Sequence, residues 1–267
     1  CAPGAELHVF KVVPGGRLSD LIDALDQCIE RRLDLVLLGI GSEQSSELVA
    51  QKIAEATAHG IACIAAAGDS GGAVQFPGNV PGVLSVAAIG KLGEFPPDSW
   101  HAYRALPQPI GFSGVFATNF SGSGPQIAVC APGVAIISSV PGGGYAAWDG
   151  SSMAASFVAG FAALLLAHHP VLQRGNYEAR SEQRVAALFE LIRASAIPYA
   201  QVDPLRVGAG LPDLQQVPGM LKSDQPLLSG IMLGGGLAGL TAGPLPAAAY
   251  LANASALMQL RAAGVWI

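Results

Sequence analysis

The sequence has few charged residues. Only 12% of its 267 residues are Asp, Glu, Lys or Arg, about half the share usual in soluble globular proteins. Such a chain has little polar surface with which to cover itself, so we expect a further polypeptide segment or a membrane to cover part of it. Acidic residues outnumber basic ones by 19 to 14 and the net charge is −5. This balance argues against a nucleic-acid-binding protein, which needs a basic surface.

Cysteine is also scarce, and no pair of cysteines has the spacing of a zinc site. The four cysteines are far apart and lie mostly in apolar runs: Cys1, Cys28, Cys63 and Cys130. This placement predicts small buried thiols rather than disulfides or metal ligands. We assign no metal site and no cofactor. We see no signal-peptide pattern in these residues, and the compartment stays open.

Apolar runs alternate with amphipathic stretches along most of the chain. The apolar runs predict strands over residues 7–12, 33–38, 62–66, 83–88 and 126–129. The amphipathic stretches predict helices over residues 18–31, 45–58, 152–166 and 182–195. Continuous apolar strands joined by single helices predict an α/β three-layer sandwich with a mostly parallel central sheet. Residues 94–113, rich in proline and aromatics, predict an ordered surface loop.

A serine at the start of one predicted helix is the first candidate for chemistry. Residues 149–155 read DGSSMAA and open a long apolar helical pattern. Glycine lets the chain turn tightly and approach a substrate, and several hydrolases present a nucleophilic hydroxyl at such a turn. The first N–H groups of the helix would stabilise negative charge developing beside Ser152. The alternative is that Ser152 is an ordinary helix N-cap.

Several further motifs, in the same order along the chain, resemble those of the subtilisin-like serine peptidases. They are residues 65–71 (AAAGDSG), 76–78 (FPG), 83–88 (VLSVAA), 120–125 (FSGSGP), 129–134 (VCAPGV), 148–155 (WDGSSMAA) and 208–213 (GAGLPD). The resemblance covers roughly residues 1–215. It implies the subtilisin-like α/β fold, peptide-bond hydrolysis with Ser152 as the nucleophile, and an oxyanion hole at Asp69 and Ser152.

The resemblance also implies a cleft for a peptide or protein substrate. One wall matches the family's edge strand, with which an extended substrate pairs as an added β-strand, and consists of Gly39, Ile40 and Gly41. The opposite wall consists of Ala66, Ala67 and Gly68. Small side chains there predict room for a large apolar group of the substrate. The alternative is a buried strand and its turn with no binding role.

Two of the three catalytic groups of this family are absent. Its triad runs Asp, His, Ser along the sequence, and no Asp-Ser-Gly or His-Gly-Thr-His block occurs in the expected place. In relatives, these motifs precede the segment that resembles residues 1–7, so we expect the chain to lack an N-terminal part of the fold. We interpret the five histidines as structural or solvated: His8, His59, His101, His168 and His169. Ser152 therefore has no visible base.

Other positions also depart from the family pattern. Asp69 stands where relatives carry an asparagine that donates to the oxyanion, and an ionised carboxylate cannot donate. Ser156 and Phe157 replace the family's Pro-His pair, and Gly39 replaces a serine. We therefore predict a subtilisin-like endopeptidase domain that is inactive as this chain. The alternatives are a non-catalytic pseudopeptidase or peptide-binding module, and a sedolisin-like acid peptidase. The family also implies structural calcium, for which we assign no site, and it is often secreted.

Two other motifs carry no function. Residues 68–72 (GDSGG) spell the nucleophile signature of chymotrypsin-like peptidases, but those are all-β barrels and this pattern is α/β. Residues 234–239 (GGGLAG) spell a dinucleotide-binding fingerprint. Pro244 and Pro246 interrupt any helix after it, and no ribose-binding acid follows.

We divide the chain into a partial peptidase domain, residues 1–215, and an apolar tail, residues 216–267. The tail has no charged residue between positions 227 and 260, and its glycines at 235, 239 and 243 are spaced for close helix packing. The apolar run before Pro244 has about 17 residues, the short limit for crossing a bilayer. A tail that packs on the domain or is disordered is therefore favoured over one that contacts a membrane.

Overall fold

A computed structural model describes residues 1–106 and 114–220. Most of the predicted tail, including the dinucleotide-like motif and the spaced glycines, lies outside the described residues. So does part of the predicted surface loop at residues 94–113. Within that loop the structure describes one short 3-10 turn, Trp100–Arg104.

The described chain alternates strands and helices, as the apolar pattern predicts. The strands are β1 (Leu35–Leu38), β2 (Ala62–Ala66), β3 (Leu84–Lys91), β4 (Val115–Ala117), β5 (Ile127–Pro132), β6 (Ile136–Val140), β7 (Gly144–Trp148), β8 (Ala196–Ile197) and β9 (Leu211–Pro212). The helices are α1 (Leu18–Glu30), α2 (Glu47–Ala58), α3 (Ser151–His168), α4 (Glu182–Ala194) and α5 (Pro204–Val207).

The central sheet is mostly parallel. Strands β1, β2 and β3 pair in parallel in that order, β5 also pairs in parallel with β3, and β4 pairs antiparallel with β3. Side chains alternate between two cores along β2: Ala62, Ile64 and Ala66 join the core that contains α3 and α4, while Cys63 and Ala65 join the core with α1 and α2. Because every residue of β2 is buried, both faces of the sheet are covered. The predicted α/β sandwich is confirmed.

Helix α3 is the central element of one core. It packs against β1, β2, β3 and β5, which explains why it is apolar around most of its circumference. Among the described helices, α3 alone is long and apolar enough to cross a membrane. Its contacts with four strands of the sheet account for that composition. Helices α2 and α4 begin at serine caps, since Ser46 and Ser181 each accept a hydrogen bond from a backbone N–H three residues on.

Two sequence predictions are wrong, and one hairpin was not predicted. Residues 7–12 form no strand: Phe10 and Val12 pack on the core of α1 and α2, while Leu7 and Val9 are 85% and 86% exposed. The alternation of apolar residues therefore reflects packing of one side of the segment on the core. A β-strand also needs a neighbouring strand to hydrogen-bond with, and the described part of the chain has none beside residues 7–12. The hairpin of β6 and β7 was not predicted. Cys1 is exposed rather than buried, whereas the other three thiols are buried.

Candidate active site

The candidate site lies where β1, β2 and α3 meet. The segments that follow β1 and β2 leave the carboxyl edge of the parallel sheet, which is where ligands bind in open α/β folds. Together with the first turn of α3 they line an open, shallow cleft. The cleft is lined by Gly39, Ile40, Gly41, Ala66, Gly68, Asp69, Gln75, Ser151 and Ser152. All the residues proposed from the sequence are in this set except Ala67, which is fully buried behind the wall.

Ser152 is the second residue of α3 and is half-buried in the cleft. The N-cap of the helix is Gly150, so the alternative that Ser152 is an ordinary cap is wrong. The Ser152 hydroxyl contacts Met153 Sδ at 3.2 Å. A Cβ placed on Gly39 would lie 3.5 Å from the Ser152 Cβ, which shows how closely the end of β1 approaches this serine.

Asp69 lies beside Ser152 at the start of the same helix. Its Oδ1 accepts a hydrogen bond from the Ser151 N–H at 2.8 Å. A Cβ placed on Gly150 would lie 3.1 Å from both Asp69 Oδ2 and Ser152 Oγ. The carboxylate and the hydroxyl therefore flank one small volume, which a residue larger than glycine at position 150 would crowd. A carboxylate in this position accepts hydrogen bonds and donates none when ionised.

The turn before α3 is fixed from several directions. Ser151 is fully buried, and its Oγ accepts a hydrogen bond from the Gly68 N–H at 3.1 Å. The Gly150 N–H donates to the Gly133 carbonyl at 2.9 Å. These bonds join the wall after β2 and the turn after β5 to the head of α3. The hydroxyl of Ser152 is thus presented by a turn with little freedom to move.

A buried ionic cluster holds the residue just before this turn. Asp149 Oδ1 lies 2.6 Å from His101 Nδ1 and accepts from the Ala135 N–H at 2.8 Å, and Oδ2 accepts from Arg104 Nε at 2.9 Å. The side chains of Asp149 and His101 are 3% and 6% exposed. Burial acts to raise the pKa of Asp149, but hydrogen bonds from His101, Ala135 and Arg104 outweigh it and leave the pKa below its ordinary value. No sequence motif reveals this cluster, since its members are up to 48 residues apart.

Gln75 and Ser151 line the cleft but were not predicted as site residues from the sequence. Gln75 contacts both walls. Its side chain lies across Gly68 and Gly41, where a Cβ on either glycine would overlap it. Gly68 also has a φ of +88°, in the left-handed region that favours glycine. The nearest sequence signal was the family-like motif at residues 76–78, which begins one residue later.

None of the five histidines, all of which are described, lines the cleft or hydrogen-bonds the Ser152 hydroxyl. Four have other partners: His8 contacts Arg31 and Glu6, His59 the Glu55 carbonyl, His101 the Asp149 carboxylate, and His169 the Pro218 carbonyl. His168 is exposed at the last residue of α3. Within residues 1–106 and 114–220, no group of three or more His, Cys, Asp or Glu side chains is placed to hold a metal ion.

A serine at the head of a core helix, beside the carboxyl edge of a parallel sheet, defines the chain as a subtilisin-like α/β domain. The subtilase family (peptidase S8) matches residues 1–197, and the chain belongs to this family. It is 30% identical over 195 residues to Subtilisin E of Bacillus subtilis (strain 168) and to the subtilisin of Bacillus pumilus. Each match covers 70% of this chain, but 45% of Subtilisin E and 63% of the Bacillus pumilus protein. The chain thus spans only about half the length of these relatives.

Solved structures of proteases share the fold. The S41 psychrophilic protease superposes with a TM-score of 0.59 at 25% identity, covering 76% of this chain and 66% of that one. The prenylagaramide maturation protease PagA superposes with a TM-score of 0.58 at 22% identity, covering 80% and 71%. The subtilase family consists of serine endopeptidases, and these solved structures with the same fold are proteases too. The structural comparison and the family assignment therefore agree.

Proposed function

We propose that this chain carries the nucleophile-bearing part of a subtilisin-like serine endopeptidase, with Ser152 as the nucleophile. The observation that carries the proposal is the position of its hydroxyl at the head of α3, in a cleft walled by the ends of β1 and β2. An extended peptide that pairs with Gly39–Gly41 as an added strand would bring a carbonyl to this hydroxyl.

The chemistry follows from the groups around Ser152. In a complete member of the family, the Ser152 Oγ attacks the peptide carbonyl carbon while a histidine base, which this chain does not place in the cleft, takes the hydroxyl proton. The amine then leaves with that proton to give an acyl-enzyme. Water then hydrolyses the ester. The backbone N–H of Ser152 is among the first N–H groups of α3, which have no partner within the helix, and it supports the oxyanion. Asp69, when ionised, opposes that charge.

The proposal includes inactivity of the 267-residue polypeptide on its own. A histidine must accept the Ser152 proton, and each histidine of the sequence lies outside the cleft. The hydroxyl instead contacts the Met153 sulfur, which is too weak an acceptor to act as a base. Without a base, only binding and partial oxyanion stabilisation remain for catalysis.

A second candidate function is a non-catalytic module that binds an extended peptide. The Asp69 carboxylate favours it, because this group is fixed beside Ser152 by the Ser151 N–H. The reading frame upstream of Cys1 separates the two candidates. An Asp motif followed by a His motif there supports the endopeptidase. A native start close to Cys1 supports the binding module.

Peptide titration followed by amide NMR tests the cleft that both candidates share. Adding an acetylated tetrapeptide amide should shift the signals of Gly39, Gly41 and Ser152, while those of Glu190 and Arg193, exposed on α4, stay in place. Gly39→Val should abolish these shifts in a folded protein, because the new side chain faces Ser152. Shifts that avoid the cleft, or that survive in Gly39→Val, would contradict the proposal.

A further inference from the structure

We infer that the amino end of α4 carries a second binding site, at which Arg180 and Arg184 hold a small free oxyanion such as phosphate or sulfate. Asp34, the partner of both arginines, directly precedes β1, whereas the cleft begins directly after that strand, at Gly39. The two sites therefore lie at opposite ends of β1. The inference stands apart from the proposed peptide binding.

Two guanidinium groups share one carboxylate oxygen at this site. Asp34 Oδ1 lies 3.1 Å from Arg180 Nη2 and 3.2 Å from Arg184 Nη1. Within the described part of the chain, no other acidic side chain forms an ion pair with either arginine, and Glu182 in the same helical turn is exposed. The cluster thus contains two positive charges and one negative charge, and the excess positive charge favours an anion.

Two nitrogen atoms of these arginines are buried donors that no protein group uses. Arg180 Nη1 and Arg184 Nε have no hydrogen-bond partner among residues 1–106 and 114–220, and the Arg184 side chain is only 10% exposed. Nearly all buried donors in native proteins have a partner, which can be a bound water or an ion. Since these two donors belong to charged groups, an anion forms stronger hydrogen bonds with them than water does.

The backbone around the arginines adds to the attraction and holds them in place. Helix α4 has 13 residues, and its N-cap, Ser181, lies between the two arginines in the sequence. The first turn therefore places the positive end of the helix macrodipole beside them. The turn after α2 packs on the same backbone, since a Cβ on Gly60 would overlap the backbone of Arg180 and Ser181. The site is thus largely formed before any ligand binds.

The positions of the donors favour a small oxyanion. A phosphate or sulfate ion presents several oxygen acceptors, and the planar guanidinium fork matches their geometry. The Asp34 side chain is 48% exposed, so it can turn towards solvent and leave its place to the ion, with which it competes for the two arginines. The unused nitrogens are buried, which leaves little room for a bulky group attached to the phosphate. We therefore expect the free ion to bind and a phosphate ester to bind weakly.

Phosphate titration followed by NMR tests the inference. Sodium phosphate is added to the labelled 267-residue chain at neutral pH, with sodium chloride holding the ionic strength constant. The Arg184 Nε–H signal should shift and saturate, while the Gly41 amide signal in the cleft stays in place. Arg180→Gln should weaken binding about tenfold or more, and Asp34→Asn, which removes the competing carboxylate, should strengthen it about tenfold. Arg193→Gln, on the last turn of α4, is the control and should leave the affinity unchanged.

Four results would overturn the inference. Absence of a saturable shift in the wild type means that water serves the two donors. Equal shifts with sodium chloride alone, or equal weakening by Arg180→Gln and Arg193→Gln, mean that the chain attracts ions without a specific site. Phenyl phosphate that binds as tightly as phosphate contradicts a site for the free ion. Should Arg180→Gln fail to fold, Asp34→Asn decides the question, and an affinity no higher than that of the wild type overturns the inference.

Discussion

The Asp69 carboxylate accepts a hydrogen bond from the Ser151 backbone N–H across 2.8 Å. Since Ser151 is the first residue of α3, a negative charge occupies the positive end of the helix macrodipole. The same contact holds that charge beside the Ser152 hydroxyl. It therefore stabilises the start of the helix and disfavours a second negative charge at the point where an oxyanion would form.

Asp69→Asn should strengthen the binding of anionic ligands to the cleft. The asparagine oxygen can still accept from the Ser151 N–H, while the charge is removed and an N–H donor is added. Peptides that end in a free carboxylate should bind about tenfold more tightly, and the corresponding peptide amides should bind as before. Calorimetric titration measures both. Asp98→Asn, which removes an exposed charge elsewhere, is the control, and an equal effect of the two variants would contradict this electrostatic account.

Asp149→Asn should destabilise the fold strongly. The variant leaves Arg104 and His101, both nearly buried, without their anionic partner. Removing one member of a buried ion pair costs about 3–5 kcal/mol, so the midpoint of urea unfolding should fall sharply. Glu190→Gln breaks an exposed pair with Arg193 and should cost less than about 1 kcal/mol. Similar losses in the two variants would show that the buried cluster does not anchor the turn before α3.

The contribution of Asp149 should disappear in acid. Its pKa is lowered in the folded state from an unfolded value of about 4. The stabilisation is therefore fully present above the unfolded pKa and is lost as the pH falls through the folded pKa. Unfolding free energies measured from pH 7 to pH 3 should decline more steeply for the wild type than for Asp149→Asn, with the two curves converging below about pH 4. Parallel curves would contradict the lowered pKa.

Gly68→Ala should be more harmful than Gly82→Ala. Both glycines have positive φ, +88° and +85°, so both variants bear a backbone penalty of about 1–2 kcal/mol. Only at position 68 does the new methyl group overlap another side chain, that of Gln75, whereas position 82 has open space. We expect Gly68→Ala to lose a further 1–3 kcal/mol, roughly the range for overpacking, in denaturant unfolding. Equal losses would mean that Gln75 moves aside freely.

The elements with the strongest apolar signal were predicted well. Strand β2 has the predicted bounds, Ala62–Ala66, because a strand buried on both faces is a continuous apolar run. Residues 7–12 show the limit of the same reasoning. Their alternation is satisfied by packing Phe10 and Val12 on one side, and a pattern within one segment does not reveal whether a second strand lies beside it.

The walls of the cleft and Ser152 were found from local motifs, since each is a short contiguous segment. The contacts that complete the site join distant parts of the chain. Gln75 enters the cleft because Phe76 pairs with Ser42, 34 positions earlier, and Asp149 is in hydrogen-bond contact with His101, 48 positions earlier. No periodic pattern in the sequence indicates either of these two contacts. The roles of Gln75 and His101 therefore depend on the fold.

Fluorophosphonate labelling tests the central claim most directly, which is that Ser152 faces a peptide cleft but has no base within this polypeptide. The probe reacts with serine hydroxyls that a neighbouring base activates. The 267-residue chain at neutral pH should take up no more label than Ser152→Ala. Labelling of the wild type that disappears in Ser152→Ala would contradict the account and show that the chain activates this hydroxyl by itself.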